Sequence, residues 1–229
     1  MTVTFEGLVA RARALVPVGG RAILGIAGAP AAGKTTLAEE LVAALAKSGP
    51  ADWVAHVPMD GFHLADVELE RLGSRDRKGA PDTFDPLGYA ALLRRLREDT
   101  DDMIYAPGFE RVIEQPIAGA IGVPRAARLI VSEGNYLLLS TGGWQQVRPL
   151  VDEVWYADLD QGSRLRRLIA RHVRFGKDER AAVAWATGTD ESNAAVIAAT
   201  RDRADLLVPA ALIESIGTPH PTTPPPPLN

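Results

Sequence analysis

Apolar runs of strand length alternate along this chain with amphipathic stretches of helix length. Residues 22–27, AILGIA, are apolar throughout and end at a glycine, the pattern of a strand buried on both faces. WVAHVPM (53–59), RLIVSE (128–133), EVWYAD (153–158) and DLLVP (205–209) read the same way. Between them, helical spacing predicts helices over 5–16, 35–47, 86–98, 162–175 and 192–203. The third of these opens with Pro86, a residue suited to a first helical turn. Strands separated by helices imply βαβ units, hence an α/β fold with a parallel sheet covered on both faces. One domain is expected over 1–217. Residues 218–229, TPHPTTPPPPLN, hold six prolines and are expected to be a disordered or extended tail.

Composition narrows the classes. The 229 residues are 46% hydrophobic and 24% charged, enough for one well-cored domain. A net charge of -4 argues against a general nucleic-acid binder. There is no cysteine, which excludes disulfides and thiolate metal sites. The opening MTVTFEGLVARARALV lacks the apolar core of a signal peptide, and no run approaches the ~20 apolar residues that span a bilayer. A cytoplasmic protein without a membrane partner is expected.

The strand at 22–27 runs into GAPAAGKTT: Gly28, Ala29, Pro30, Ala31, Ala32, Gly33, Lys34, Thr35 and Thr36. Gly28, Gly33, Lys34 and Thr35 satisfy G-x-x-x-x-G-K-[S/T], between a predicted strand and a predicted helix as the motif requires. Backbone N–H groups there can wrap an anion, and the helix N-terminus adds partial positive charge. Lys34 would bridge the β- and γ-phosphates of ATP, and the Thr35 hydroxyl would ligate Mg²⁺. The N-K-x-D segment of guanine-specific GTPases is absent.

Other residues suit chemistry beside such a loop. Asp60, in PMDGFH, follows the second strand and falls at the ligand-binding edge of a parallel sheet. It would take the proton of an attacking hydroxyl; an Asp-Gly turn accounts for it equally well. Glu133 ends a very apolar strand, where a carboxylate needs a partner. Tyr136 follows, as a pocket wall or a packed aromatic. In RKGAPDTFD (77–85), Arg77 and Lys78 would hold an anionic group or form a solvated turn, with Asp85 capping the helix at Pro86. Residues 161–180 carry seven of the 25 basic residues. Arg164, Arg167, Arg171 and Arg174 share an arc of about 80° on a helix, and such a stripe can close over phosphates. His172 falls on the apolar arc and reads as core; Gly176 reads as a helix stop or hinge.

Taken together, GAPAAGKTT, PMDGFH, RKGAPDTFD and SEGNYLLL (132–139) resemble the uridine kinase, pantothenate kinase and phosphoribulokinase group. The likeness is strongest to its bacterial branch labelled nucleoside/nucleotide kinase or fructose-transport-system kinase, and it runs from about residue 20 to 208. It implies a three-layer P-loop NTPase fold, a five-stranded parallel core sheet in order 2-3-1-4-5, and an Arg-rich helical lid over about 161–190. It implies that Asp60 is the base, with His63 beside it on the acceptor side, and that Glu133 lies near Mg²⁺. It brings Tyr105 and Arg111, in YAPGFER, to the acceptor pocket, although an aromatic-rich hairpin packed on the sheet would look the same. It makes Arg167 and Arg171 the lid arginines and sets Asn193 and Arg201 near the adenine, although Ser192 or Asn193 would equally serve as a helix cap. The activity implied is transfer of the ATP γ-phosphate to a hydroxyl of a nucleoside or sugar, with a pantothenate-type acceptor or a non-catalytic ATP sensor as alternatives. Relatives are often dimers or tetramers, so a homodimer is an expectation.

Overall fold

The computed structural model describes residues 2–98, 100–176 and 178–216; the Pro-rich tail expected to be disordered lies outside them. The elements are α1 (Phe5–Ala14), β1 (Ala22–Ala27), α2 (Lys34–Lys47), β2 (Val54–His56), α3 (Asp66–Arg71), α4 (Pro86–Glu98), β3 (Met103–Glu110), β4 (Gln115–Pro124), β5 (Leu129–Gly134), β6 (Glu153–Asp158), α5 (Gln161–Arg174), α6 (Glu179–Thr187), α7 (Thr189–Ala198), β7 (Leu206–Pro209) and α8 (Ala210–Ile216). Five strands pair in the order β2-β5-β1-β6-β7, all parallel. Counted along the predicted strands, this is the expected order 2-3-1-4-5.

Alternation along the central strands separates two cores. Ile23 and Ala27 of β1, Ile130 of β5, and Val154 and Tyr156 of β6 face one layer, filled by α4 and by Tyr136 and Trp144. Leu24 and Ile26 of β1, Val131 of β5 and Trp155 of β6 face the other, filled by α1, α2 and α8. Every residue of β1 and β5 is buried, which is why these strands read as unbroken apolar runs.

Three expectations shift at their edges. The 53–59 strand shrinks to Val54–His56, because Pro58 has no N–H for the ladder and Met59–Phe62 turns as a 3₁₀ helix. The 192–203 helix starts earlier, at Thr189, and gives way after Ala198 to a separate 3₁₀ turn at Arg201–Arg203. Gly176, at φ 95°, follows the end of α5, consistent with its reading as a helix stop. The alternative reading of YAPGFER as part of a hairpin holds for β3, whereas β4, α3, α6 and α8 carry no clear sequence signal.

Arg21 ties the base of the sheet to the hairpin. Its guanidinium is 7% exposed and donates to the carbonyls of Ala127, Leu96, Pro124 and Arg125 at 2.6–3.3 Å. Four carbonyl oxygens offset the loss of water around the charge, and one of them belongs to the last turn of α4.

On edge strand β2, His56 Nε2 is buried without a hydrogen-bond partner among the described residues. Burial pushes the imidazole down to about 4 from 6.5. The unfolded chain therefore binds the extra proton between those pH values, and stability falls as pH drops through that window. His56 contributes at most about 3 kcal/mol to this acid limb. Urea unfolding at pH 7 and pH 4 should show a smaller difference for His56→Phe than for the parent; an equal difference would clear the imidazole of this role.

Candidate active site

The site forms where β1 and β5 end side by side. Their register pairs Ile26 with Glu133 and Ala27 with Gly134, so the loop after β1 emerges next to the Glu133 carboxylate. The loop Gly28–Gly33 leads into α2 with Gly33 at φ 90°, and Ala31 is also left-handed at φ 63°. A Cβ on Gly33 would meet Ile213 of α8 at 2.5 Å, so the position is closed to side chains twice over. The Lys34 ammonium is buried and donates to the Ala29 carbonyl at 3.0 Å. Burial lowers its pKa to about 8, against the pull of Glu133 and Asp60.

Thr35 Oγ1 donates to Glu133 Oε1 at 2.9 Å. Burial and the nearby Asp60 push the Glu133 carboxyl up, while Lys34 and Thr35 pull it down. Among the described residues no cluster of three or more His, Cys, Asp or Glu could hold a metal by itself. A hydroxyl beside a carboxylate at a phosphate loop instead fits a hard cation that takes its other ligands from phosphate and water, as Mg²⁺ does. Thr35 and Glu133 are the residues that would hold it.

Asp60 lies in the 3₁₀ turn after β2. A Cβ on the adjacent Gly61 would meet the Pro107 carbonyl at 2.2 Å, so only glycine lets the β3 backbone press on this turn. That contact carries the end of the hairpin over Asp60, and Arg111 Nη2 reaches Asp60 Oδ2 at 3.3 Å. His63 donates from Nδ1 to the Asp60 carbonyl at 2.7 Å and packs against Phe84 and Phe109. Burial lowers its pKa, opposed by Asp60.

Two cavities meet here. The first, about 600 Å³, is lined by Asp60, Glu133, His63, Lys78, Asp190 and Asn193 among others. The second, about 570 Å³, is lined by Gly33, Thr36, Arg167, Arg174 and Phe175, and among the described residues no Asp or Glu lies on its wall. Lys34, Thr35, Arg111 and Arg171 line both. The Arg171 guanidinium has no hydrogen-bond or ion-pair partner among the described residues, and burial and Arg111 lower its pKa. A wall of five cations and no carboxylate suits a polyphosphate.

Several expected site residues lie elsewhere. Tyr136 is a packed aromatic, 1% exposed against Phe84 and Trp144, with its hydroxyl donating to the Gly79 carbonyl at 2.5 Å. Tyr105 is on the outer face of the hairpin, 63% exposed. Arg77 turns outward to pair with Asp82. Lys78 does line the first cavity, but its ammonium is held by Asp66 at 2.6 Å and by the Glu114 carbonyl. Arg201 pairs with Asp158 at 2.7 Å and lines neither cavity. Asn193 lines the first cavity and not the second. Neither Ser192 nor Asn193 caps a helix, because α7 has already started at Thr189. Arg164, 4% exposed, turns from the arginine stripe to Glu191 of α7. Asp85 does cap α4, accepting from Gly88 N at 2.8 Å.

Sequence reasoning missed His172, Trp185 and Asp190, all on the wall of the first cavity. His172 was assigned to the core because its arc on α5 is apolar. In the fold α7 brings Asp190 Oδ2 to 2.7 Å from His172 Nε2.

No family model matches the chain. A Schizosaccharomyces pombe protein provisionally named a uridine kinase is 33% identical over 177 residues, covering 76% of this chain and 75% of that protein. A pantothenate kinase of Leifsonia xyli is 27% identical over 209 residues, covering 81% of this chain and 65% of the kinase. A Silicibacter crystal structure, provisionally named a fructose transport system kinase, superposes with a TM-score of 0.83 at 36% identity, covering 91% of this chain and 100% of that one. The chain belongs to the P-loop small-molecule kinases, in the group of uridine kinase-like and pantothenate kinase-like proteins. It is therefore a kinase.

An anion beside Lys34 would restore the charge that burial depresses. ATP binding without metal at pH 8 should therefore take up protons, seen as a dependence of the calorimetric heat on buffer ionisation enthalpy. Buffer-independent heats would show that Lys34 is already fully charged in the free protein.

Proposed function

We propose that the protein transfers the γ-phosphate of ATP to a hydroxyl of a small polyhydroxylated molecule, a nucleoside or a sugar. One observation carries this reading. A cavity walled by cations and a cavity holding carboxylates share Lys34, Thr35, Arg111 and Arg171 at their seam. The polyphosphate of ATP occupies the cationic cavity, on the loop Gly28–Gly33 and under Arg167, Arg171 and Arg174. The α5–α6 segment acts as the lid over it. The acceptor occupies the other cavity, with its hydroxyl at Asp60.

In the transfer step the acceptor oxygen forms a bond to the γ-phosphorus as the bond to the bridging oxygen of ADP breaks. Asp60 takes the hydroxyl proton. Lys34 and Arg171 face the charge that builds on the transferring group. Bound Mg²⁺ would neutralise the β- and γ-oxygens. Thr35 and Glu133 would hold it.

Two alternatives fit less well. A pantothenate-type acceptor would offer a carboxylate to the 77–85 segment, but Arg77 and Lys78 are already paired with Asp82 and Asp66. An ATP sensor has no use for a carboxylate-bearing cavity next to the phosphate cavity.

Asp60→Asn should keep ATP binding and lose about 10²–10⁴-fold in transfer. The assay would incubate the protein with ATP, Mg²⁺ and a panel of nucleosides, sugars and pantothenate, with mass spectrometry detecting any product heavier by one phosphate. Undiminished transfer by Asp60→Asn would remove it from the base role. Lys34→Ala should weaken both nucleotide binding and turnover, and unchanged turnover would sink the phosphate-loop assignment.

A further inference from the structure

Helix α7 contributes two residues to the wall of the first cavity. Asp190 and Asn193 are three residues apart on that helix and so share a face. Both are more than nine-tenths buried, at 9% and 7% exposure, yet both line the cavity that holds Asp60. Asp190 Oδ2 accepts from His172 Nε2 at 2.7 Å, and its other oxygen has no partner among the described residues. The Asn193 amide makes no hydrogen bond at all among them. The amide atoms are not sealed off, so their unused donors and acceptor stay open to a ligand in the cavity.

We infer that Asp190 and Asn193 recognise two adjacent hydroxyls of the acceptor, with His172 fixing the Asp190 carboxylate. The inference rests on reading the first cavity as the acceptor side. Each hydroxyl of a vicinal diol can donate and accept. A carboxylate oxygen takes one proton, and an amide can accept from and donate to the other hydroxyl. An anionic acceptor would be repelled at Asp190. Trp185 of α6 also lines this cavity. The diol can come from the ribose of a nucleoside or from a free sugar, and no residue of α7 other than Asn193 was expected at the site from sequence. Asn193 thus moves from the nucleotide to the acceptor.

The test is calorimetric titration of the full chain, with a non-hydrolysable ATP analogue bound, against three pairs: uridine and 2′-deoxyuridine, ribose and 2-deoxyribose, fructose and 3-deoxyfructose. At least one diol-bearing member should bind about 10-fold or more tightly than its deoxy partner, and the pair that discriminates names the source. Asp190→Asn and Asn193→Ala, each checked for native circular dichroism, should erase most of that ratio. His172→Gln, which keeps a donor toward Asp190, should preserve more of it than His172→Ala. Absence of diol binding, equal binding of the deoxy partners, or an undiminished ratio in both α7 variants would overturn diol recognition. None of these results depends on Asp60, whose failure in the transfer assay would instead remove it from the base role and leave diol binding standing.

Discussion

Glu133 ends β5 with 3% exposure, beside the buried Lys34 and within range of Asp60. Taking a carboxylate out of water costs several kcal/mol unless other groups answer its charge. Here the Thr35 hydroxyl and the Lys34 ammonium do so, and both come from the turn into α2. The pair exists only because β1 and β5 are neighbours in a register that matches Ile26 with Glu133. A slip by one residue would turn Glu133 into an apolar layer. The electrostatics of the site and the packing of the sheet are therefore one constraint.

The rest of the site is fastened to that centre from outside the sheet. The hairpin leans on the Asp60 turn through Gly61 and delivers Arg111. Its far end is held by Arg21, whose guanidinium gathers carbonyls from α4 and from the end of β4 and the turn that follows it. From the other side, α8 places Ile213 against Gly33. The helices α5 and α7 are joined by the His172–Asp190 and Arg164–Glu191 pairs, which tie the arginine-bearing helix to the α7 side of the first cavity.

Much of this was legible in the chain. The five core strands, α2, α4 and α5 carry their periodicity locally, and the phosphate loop is a local backbone motif whose residues suffice to recognise it. The Asp85 cap before Pro86 is local too. The second strand of the hairpin was not, because β4, QPIAGAIGVP, is mostly exposed and its small residues give no alternation. Arg77 and Lys78 looked like a free basic pair; their partners Asp82 and Asp66 decide otherwise. Tyr136 and Tyr105 have equal claims as letters, but one packs under Trp144 and the other faces solvent.

The sequence by itself determined the order of strands and helices, the phosphate loop between β1 and α2, and the presence of carboxylates just past two strand ends. Those follow from interactions between residues close along the chain. Tertiary structure alone decided which cation faces the phosphate cavity, which is spent in a surface pair, and that His172 leaves the core to hold Asp190. Pairing of charges depends on distance in space, and a helix face acquires its role only from the element that covers it.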